Sequence, residues 1–236
     1  MKQNVLKGLF GKIFRYGLYN ADFIIAQTEG QKLKLKSNRI NRKYQIKVIK
    51  NIYNIENLAY IKEKETILWI GRAIDYKRPD LFIKLAKRFP MLSFLMVCNK
   101  EVSYTYWERI SNAASKIPNL KFIEFVPFHK IEQYFQEAKI FVNTSILEGF
   151  PNTFVQAFKN FTPVISLNVN PDRILTKYKI GFYCDNDFSK MEEYLKLLLS
   201  DDTLYENYSK NAYEYVKNHH DINKVIKVWI QLIKSI

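Results

Sequence analysis

Apolar positions along the chain change their period several times. From Thr66 onward, short apolar runs at 67–70, 93–97, 121–125, 140–143 and 164–167 alternate with stretches of helical character at 79–88, 105–116, 130–138 and 152–160. Short apolar runs separated by helices predict an α/β fold, a Rossmann-like parallel sheet with helices on both faces. Pro79 suits the first turn of its helix, where a missing N–H costs nothing. After a short strand at 181–183 the pattern is helical to the end of the chain. Asp187 or Ser189 caps a helix over 191–199, and helices follow over 204–218 and 222–234. In the last of these Val225, Val228, Trp229, Leu232 and Ile233 make one apolar face, so this helix must cover something.

The first 55 residues read differently. Val5, Leu6, Leu9, Phe10, Ile13 and Phe14 form a stripe beside Lys2, Lys7, Lys12 and Arg15, the pattern of a basic amphipathic helix. A strand at 23–27, a helix at 29–36 and a second strand at 47–49 complete the segment. Two strands are too few for an independent sheet domain, so the segment must dock on something else. Residues 51–64 read as a hinge. The division expected is 1–55, 56–220, and a C-terminal helix at 221–236 crossing back toward the N-terminal part.

Composition narrows the class. With 236 residues and 47% hydrophobic content the chain can bury an ordinary core. Cys98 and Cys184 stand far apart with no metal-ligand spacing around them, which argues against a disulfide framework or a structural zinc and fits a reducing cytoplasm. No apolar run approaches the roughly 20 residues of a membrane span, and the N-terminus lacks the form of a signal peptide. The net charge of +14 is concentrated in residues 1–50, where twelve lysines and arginines face only Asp22 and Glu29. Such a patch suits an anionic membrane surface at the inner face of the membrane, an acidic partner, or simply solvent. No nucleic-acid-binding motif accompanies it, so nucleic acid is not expected as a partner.

Two loops carry candidate chemistry. Gly71-Arg72, with Lys77-Arg78 following, leaves the carboxyl end of the first long strand, where doubly wound sheets bind ligands and two cations can hold a pyrophosphate. Gly71 is expected to let the backbone come close to that ligand. Glu148-Gly149-Phe150-Pro151-Asn152 leads into a helix whose first N–H groups can bind phosphate or sugar oxygens. Taken alone, each loop reads more readily as a solvated surface turn than as a ligand site. Asp185-Asn186-Asp187 reads as a turn and helix cap rather than a metal site, and His219-His220 as the end of a helix. His129 stands in a ligand-side loop, where nucleotide contact and plain exposure are both open.

The order Gly-Arg-x4-Lys-Arg, then Glu-Gly-Phe-Pro-x4-Gln-Ala, then Thr162-Pro163-Val164-Ile165 resembles the C-terminal domain of the retaining glycosyltransferase family 4. Residues 21–28 and 48–51 resemble the last elements of that family's N-terminal domain, which makes 1–55 a remnant of the acceptor-side domain. The resemblance implies a GT-B fold, in which two Rossmann-like domains face each other across a cleft. It implies a nucleotide-diphosphate sugar as donor, a glycan or lipid-linked acceptor in cell-surface polysaccharide synthesis, and neither cofactor nor metal. By the same resemblance Arg72 and Lys77 neutralise the donor's diphosphate, and Glu148 stands near the donor sugar. Gly71, Gly149, Phe150, Pro151 and Asn152 line the donor, and Val126-Pro127-Phe128 hold its base.

Two departures qualify this. The family's second glutamate, which contacts ribose, is Gln156 here; it keeps an acceptor and adds donors but lacks the charge. Most of the N-terminal domain is also missing. An enzyme working with a separate N-terminal half and a non-catalytic donor-binding subunit or inactive fragment therefore both stay open.

Overall fold

The computed structural model describes residues 8–37, 45–55, 60, 63–100 and 104–235. Its centre is a six-stranded sheet in the order β5-β4-β3-β6-β7-β8, with every neighbouring pair parallel. The strands are β3 (Thr66–Arg72), β4 (Phe94–Asn99), β5 (Leu120–Ile123), β6 (Ala138–Asn143), β7 (Val164–Ser166) and β8 (Gly181–Tyr183), and a two-stranded parallel pair, β1 (Phe23–Ala26) and β2 (Gln45–Val48), precedes them. Helices α1 (Gly8–Asn20) and α2 (Glu29–Ser37) belong to that first part. Within the sheet domain lie α3 (Pro79–Arg88), α4 (Tyr104–Ala114), α5 (Glu132–Glu137), α6 (Asn152–Lys159), α7 (Ile174–Lys177), α8 (Phe188–Ser200) and α9 (Asp202–His219), and α10 (Ile222–Ile233) follows.

β3 shows why both sheet faces are covered. Its side chains alternate sides: Ile67 and Trp69 join Phe82, Leu85, Ile110 and Leu195 in one core, while Leu68 joins Phe135, Phe154, Phe158 and Val216 in the other. All of these are buried, and each contributes about 1.5–3 kcal/mol by leaving water. The expected α/β layering is what the structure has. The chain runs β3→β4→β5 in one direction and returns to the other side of β3 with β6, so the strand order reverses between β3 and β6. That reversal opens a crevice at the carboxyl ends of the strands.

The ends of the chain meet. Val225, Trp229 and Leu232 of α10 pack on Ile49, Phe23 and Ile25 of the first part, which supplies the surface that α10's apolar face needs. Tyr53 N–H donates to the His220 carbonyl and Ile222 N–H to the Tyr53 carbonyl, both at 2.9 Å. The stretch read as a hinge is thus pinned at Tyr53 and again at Lys64, which is buried and donates to Asn160 O and Thr162 Oγ1. Burial lowers Lys64 to about 8.

Three residues of the apolar stripe on the first helix, Phe10, Ile13 and Phe14, are all more than half exposed on α1. Val5 and Leu6 of that stripe lie outside the described residues, as do the inner positions 56–59 and 61–62 of the supposed hinge.

Candidate functional site

The crevice at the strand-order reversal has a volume of about 450 Å³ and is lined by the ends of β3 and β4, the loops that follow β3 and β6, and the first turn of α6. Gly71, Arg72, Lys77, Glu148, Gly149, Phe150, Pro151 and Asn152 all stand on its walls, so eight of the residues singled out from sequence come together. Lys77 Nζ lies 2.8 Å from Glu148 Oε2, with both side chains mostly shielded from solvent. Glu148 Oε1 accepts from Asn143 Nδ2 at 2.8 Å, so each carboxylate oxygen has a partner.

A buried network holds the two loops at this spacing. Trp69 Nε1 donates to Thr144 Oγ1 at 2.9 Å, and the Thr144 hydroxyl donates to the Lys77 carbonyl at 2.6 Å. Ile146 N–H donates to the Tyr76 carbonyl at 2.7 Å. Arg78, in the left-handed region at φ 48°, donates from Nε to Thr144 O and from Nη1 to Asn186 Oδ1. The β3 loop is therefore tied to the β6 loop and to the β8–α8 turn at once. Arg72 reaches Tyr76 OH at 3.4 Å and is exposed at the rim.

Gly71 lines the crevice and also lies against the core: a Cβ there would lie 2.7 Å from Trp69 Cη2, because positions 69 and 71 project from the same face of β3.

The N-terminal part reaches the same place. A Cβ at Gly149 would come within 2.7 Å of Gln31 Nε2. Gln27 Nε2 donates to Asn51 Oδ1, and Asn51 Nδ2 donates to Asn152 Oδ1, so a row of carboxamides runs from β1 to the first residue of α6. His220 is fully buried with its ring 5.0 Å from that of Phe150, and its Nδ1 lies 2.9 Å from Asn51 O. Burial pushes this imidazole down to about 4; the bond to the Asn51 carbonyl opposes the shift, and the charge of Lys50 adds to it. Asp172 accepts from Glu29 N and Gly30 N, both at 2.9 Å, and from Lys50 at 3.4 Å. Burial alone would raise its carboxyl, but those hydrogen bonds and the lysine charge hold it below its ordinary value.

The remaining candidates stand apart. Val126, Pro127 and Phe128 follow β5 and do not line the crevice; Val126 is buried in the core and Phe128 is exposed in a short turn. Gln156 sits one turn into α6, buried and away from the crevice wall. Asp187 caps α8 by accepting from Ser189 N, and Asp185 accepts from Tyr183 OH, so this triplet is a turn and a cap as read. Asn143, Thr144, Tyr76 and Asn99 were not picked out from sequence. Asn143 and Asn99 are each the last residue of their strand, and the rule that ligands gather at strand carboxyl ends would have found both.

The comparisons with known proteins bear on this geometry. The model of the family described as glycosyl transferases group 1 matches residues 50–215. An uncharacterized glycosyltransferase of Methanocaldococcus jannaschii is 26% identical over 285 aligned positions, covering 97% of this chain and 68% of the relative. Among solved structures, sucrose-phosphate synthase of Thermosynechococcus elongatus superposes with a TM-score of 0.82 at 16% identity, over 95% of this chain and 60% of that one. A TarM variant of S. aureus, solved with fondaparinux, α-GlcNAc-glycerol and UDP, gives 0.79 at 19% identity, over 94% and 46%. Pneumococcal O-GlcNAc transferase GtfA with UDP and GlcNAc gives 0.72 at 15%, over 95% and 47%. The chain thus spans between under half and about 60% of these solved proteins, and at such identities they share its fold.

Proposed function

The chain belongs to the glycosyl transferases group 1 family, and from that premise we propose that its crevice binds a nucleotide-diphosphate sugar for metal-independent, retaining transfer to a glycan or lipid-linked acceptor of cell-surface polysaccharide synthesis. The observation that supports this most is the convergence of Lys77, Arg72, Glu148 and the first turn of α6 on one 450 Å³ space. In the reaction the bond between the sugar's anomeric carbon and the diphosphate oxygen breaks. The acceptor oxygen bonds to that carbon on the face the diphosphate leaves, and the acceptor's proton passes to the released nucleoside diphosphate. Negative charge grows on the leaving oxygens, where Lys77 and Arg72 are pre-positioned to meet it.

Lys77 spends its charge on Glu148 when no donor is present. A diphosphate entering the crevice offers Lys77 a second anion, and Glu148, still held by Asn143, turns its freed oxygen toward sugar hydroxyls. The backbone N–H groups at the start of α6 add donors without charge. Val126–Phe128 and Gln156 serve base and ribose only if the nucleotide extends past the crevice walls along the carboxyl ends of β4 and β5.

The N-terminal segment favours a second component. The uncovered Phe10, Ile13 and Phe14 of α1 beside Lys12 and Arg15 suit either an anionic membrane surface or a separate N-terminal half that completes the cleft. Without that half, a donor-binding subunit is the alternative reading. Calorimetric titration with UDP and GDP, followed by turnover assays with and without a candidate N-terminal partner, tests these readings. Absence of affinity for either nucleotide would remove both the transferase and the binding-subunit proposals.

A further inference from the structure

All six strands of the main sheet are parallel, so their carboxyl ends share one edge, and the donor crevice uses only part of it. Beyond it, at the ends of β7 and β8, lies a second recess of about 360 Å³ lined by Asn168, Asn170, Arg173, Thr176 and Tyr183. Every lining residue carries a polar side-chain group. A ridge separates the two spaces: Leu147 belongs to the crevice wall, and the carbonyl of its neighbour Ile146 accepts from Asn168 Nδ2 at 2.7 Å.

The hydrogen bonds already made inside the recess define what remains for a ligand. Asn168 gives one of its two amide N–H groups to Ile146 O, which leaves the other as a donor and its carbonyl oxygen as an acceptor. Asn170 Oδ1 accepts from Leu175 N at 3.1 Å, which leaves its NH2 group as a donor. The Thr176 hydroxyl donates to Arg173 O and the Tyr183 hydroxyl to Asp185 Oδ1, so both oxygens remain as acceptors. Among the described residues no carboxylate pairs with the Arg173 guanidinium, which keeps its fork of donors for an incoming group.

The position of Arg173 is imposed from the other part of the protein. Asp172 and Arg173 are consecutive non-glycine residues with left-handed backbone, at φ 49° and 57°. Asp172 is held there by the first two N–H groups of α2 and by Lys50, so the N-terminal segment sets where the arginine stands.

One cation with an adjacent amide donor suits an anionic group, and three acceptors suit hydroxyls. A neutral sugar can bond to both kinds of group but gives the Arg173 charge no counter-ion, and a free anion leaves most of the acceptors unmet; a sugar carrying phosphate or carboxylate satisfies the charge and the acceptors together. We propose that this recess is an acceptor subsite that takes an anionic sugar unit, lying beside the donor crevice across the Ile146–Leu147 ridge. The word acceptor rests on the transfer reading above; the recess as an anionic-sugar site does not.

The test titrates the intact chain, with saturating UDP present, with glucose 6-phosphate, glucuronate, glucose and inorganic phosphate, using calorimetry or ligand-observed NMR. At least one of the two anionic sugars binds at least tenfold more tightly than glucose or phosphate, and which of the two does so identifies the anion. Arg173→Gln lowers that affinity at least tenfold while leaving UDP affinity unchanged, and Tyr183→Phe weakens the anionic sugar without affecting phosphate. If the anionic sugar binds Arg173→Gln as it binds the parent, or if neither anionic sugar exceeds both phosphate and glucose, the proposal is wrong. If UDP fails to bind while the Arg173-dependent affinity persists, the recess stands and only the donor reading falls.

Discussion

Lys77 and Glu148, 71 positions apart, meet at 2.8 Å where the β3 and β6 loops face each other. The contact is made by a loop-to-loop network rather than by either loop alone, since Thr144 holds the Lys77 carbonyl while Asn143 holds the other oxygen of Glu148. That ion pair stands on the wall of the crevice proposed above to take the donor's diphosphate.

Replacing Lys77 by alanine removes the charge proposed to meet phosphate. UDP affinity is expected to fall roughly tenfold or more, the range of one charge-assisted hydrogen bond of about 1.5–3 kcal/mol, while uridine affinity changes less than about twofold. Paired calorimetric titrations of both ligands decide it. Equal losses for UDP and uridine would place Lys77 away from the phosphates.

His220 makes folding sensitive to acid. Its folded value of about 4 lies below the ordinary 6.5, so the unfolded chain binds the proton first as pH falls. Stability is full above pH 6.5 and declines as pH drops toward 4, by about 3 kcal/mol for a shift of this size. His220→Asn, which cannot titrate, is expected to be less stable at pH 7 through lost ring packing but to show a flatter decline between pH 6.5 and 4. Denaturant midpoints across that range measure both, and parallel slopes in the two proteins count against His220 as the source.

Two glycines should respond very unequally to alanine. At Gly181 the new Cβ would sit 2.1 Å from Val164 O, a backbone atom of the neighbouring strand that cannot step aside. At Gly149 it meets the end of the Gln31 side chain, which can. Gly181→Ala is expected to cost about 3 kcal/mol or more, and Gly149→Ala under about 1 kcal/mol. Thermal midpoints for both variants provide the comparison; a larger loss at Gly149 would contradict it.

The exposed face of α1 leads to a surface prediction. Flotation with vesicles containing anionic lipid should recover the parent chain and recover substantially less of a Phe10→Ser, Phe14→Ser double variant, with neutral vesicles recovering little of either. Equal recovery of parent and variant leaves the face for a protein partner.

Much of the sheet domain was legible because its local and global signals agree. Pro79–Arg88 and Gly181–Tyr183 have the boundaries expected from pattern alone, and Asp187 caps α8 as its position suggests. Other features depended on groups remote in sequence. That Gly71 stands against the Trp69 indole as well as on the crevice wall shows only once β3 is folded. The role of His220 has no local signal, because Phe150 and Asn51 lie 70 and 169 positions away from it. α1 shows the reverse case, an amphipathic pattern whose apolar side is left uncovered by the described residues.

By itself the sequence determined the parallel α/β layering, the strand-end loops that bear the cations and Glu148, and the family these motifs belong to. Periodicity and turn chemistry are encoded within a few residues, so they survive reading one position at a time. Tertiary structure alone decided that Lys77 pairs with Glu148, that Gln31, Asn51 and Lys50 border the crevice region, and that Arg173 lines a second polar recess. Those facts depend on which loops the sheet's reversal and the returning α10 bring together, and distance through space is not written in the spacing along the chain.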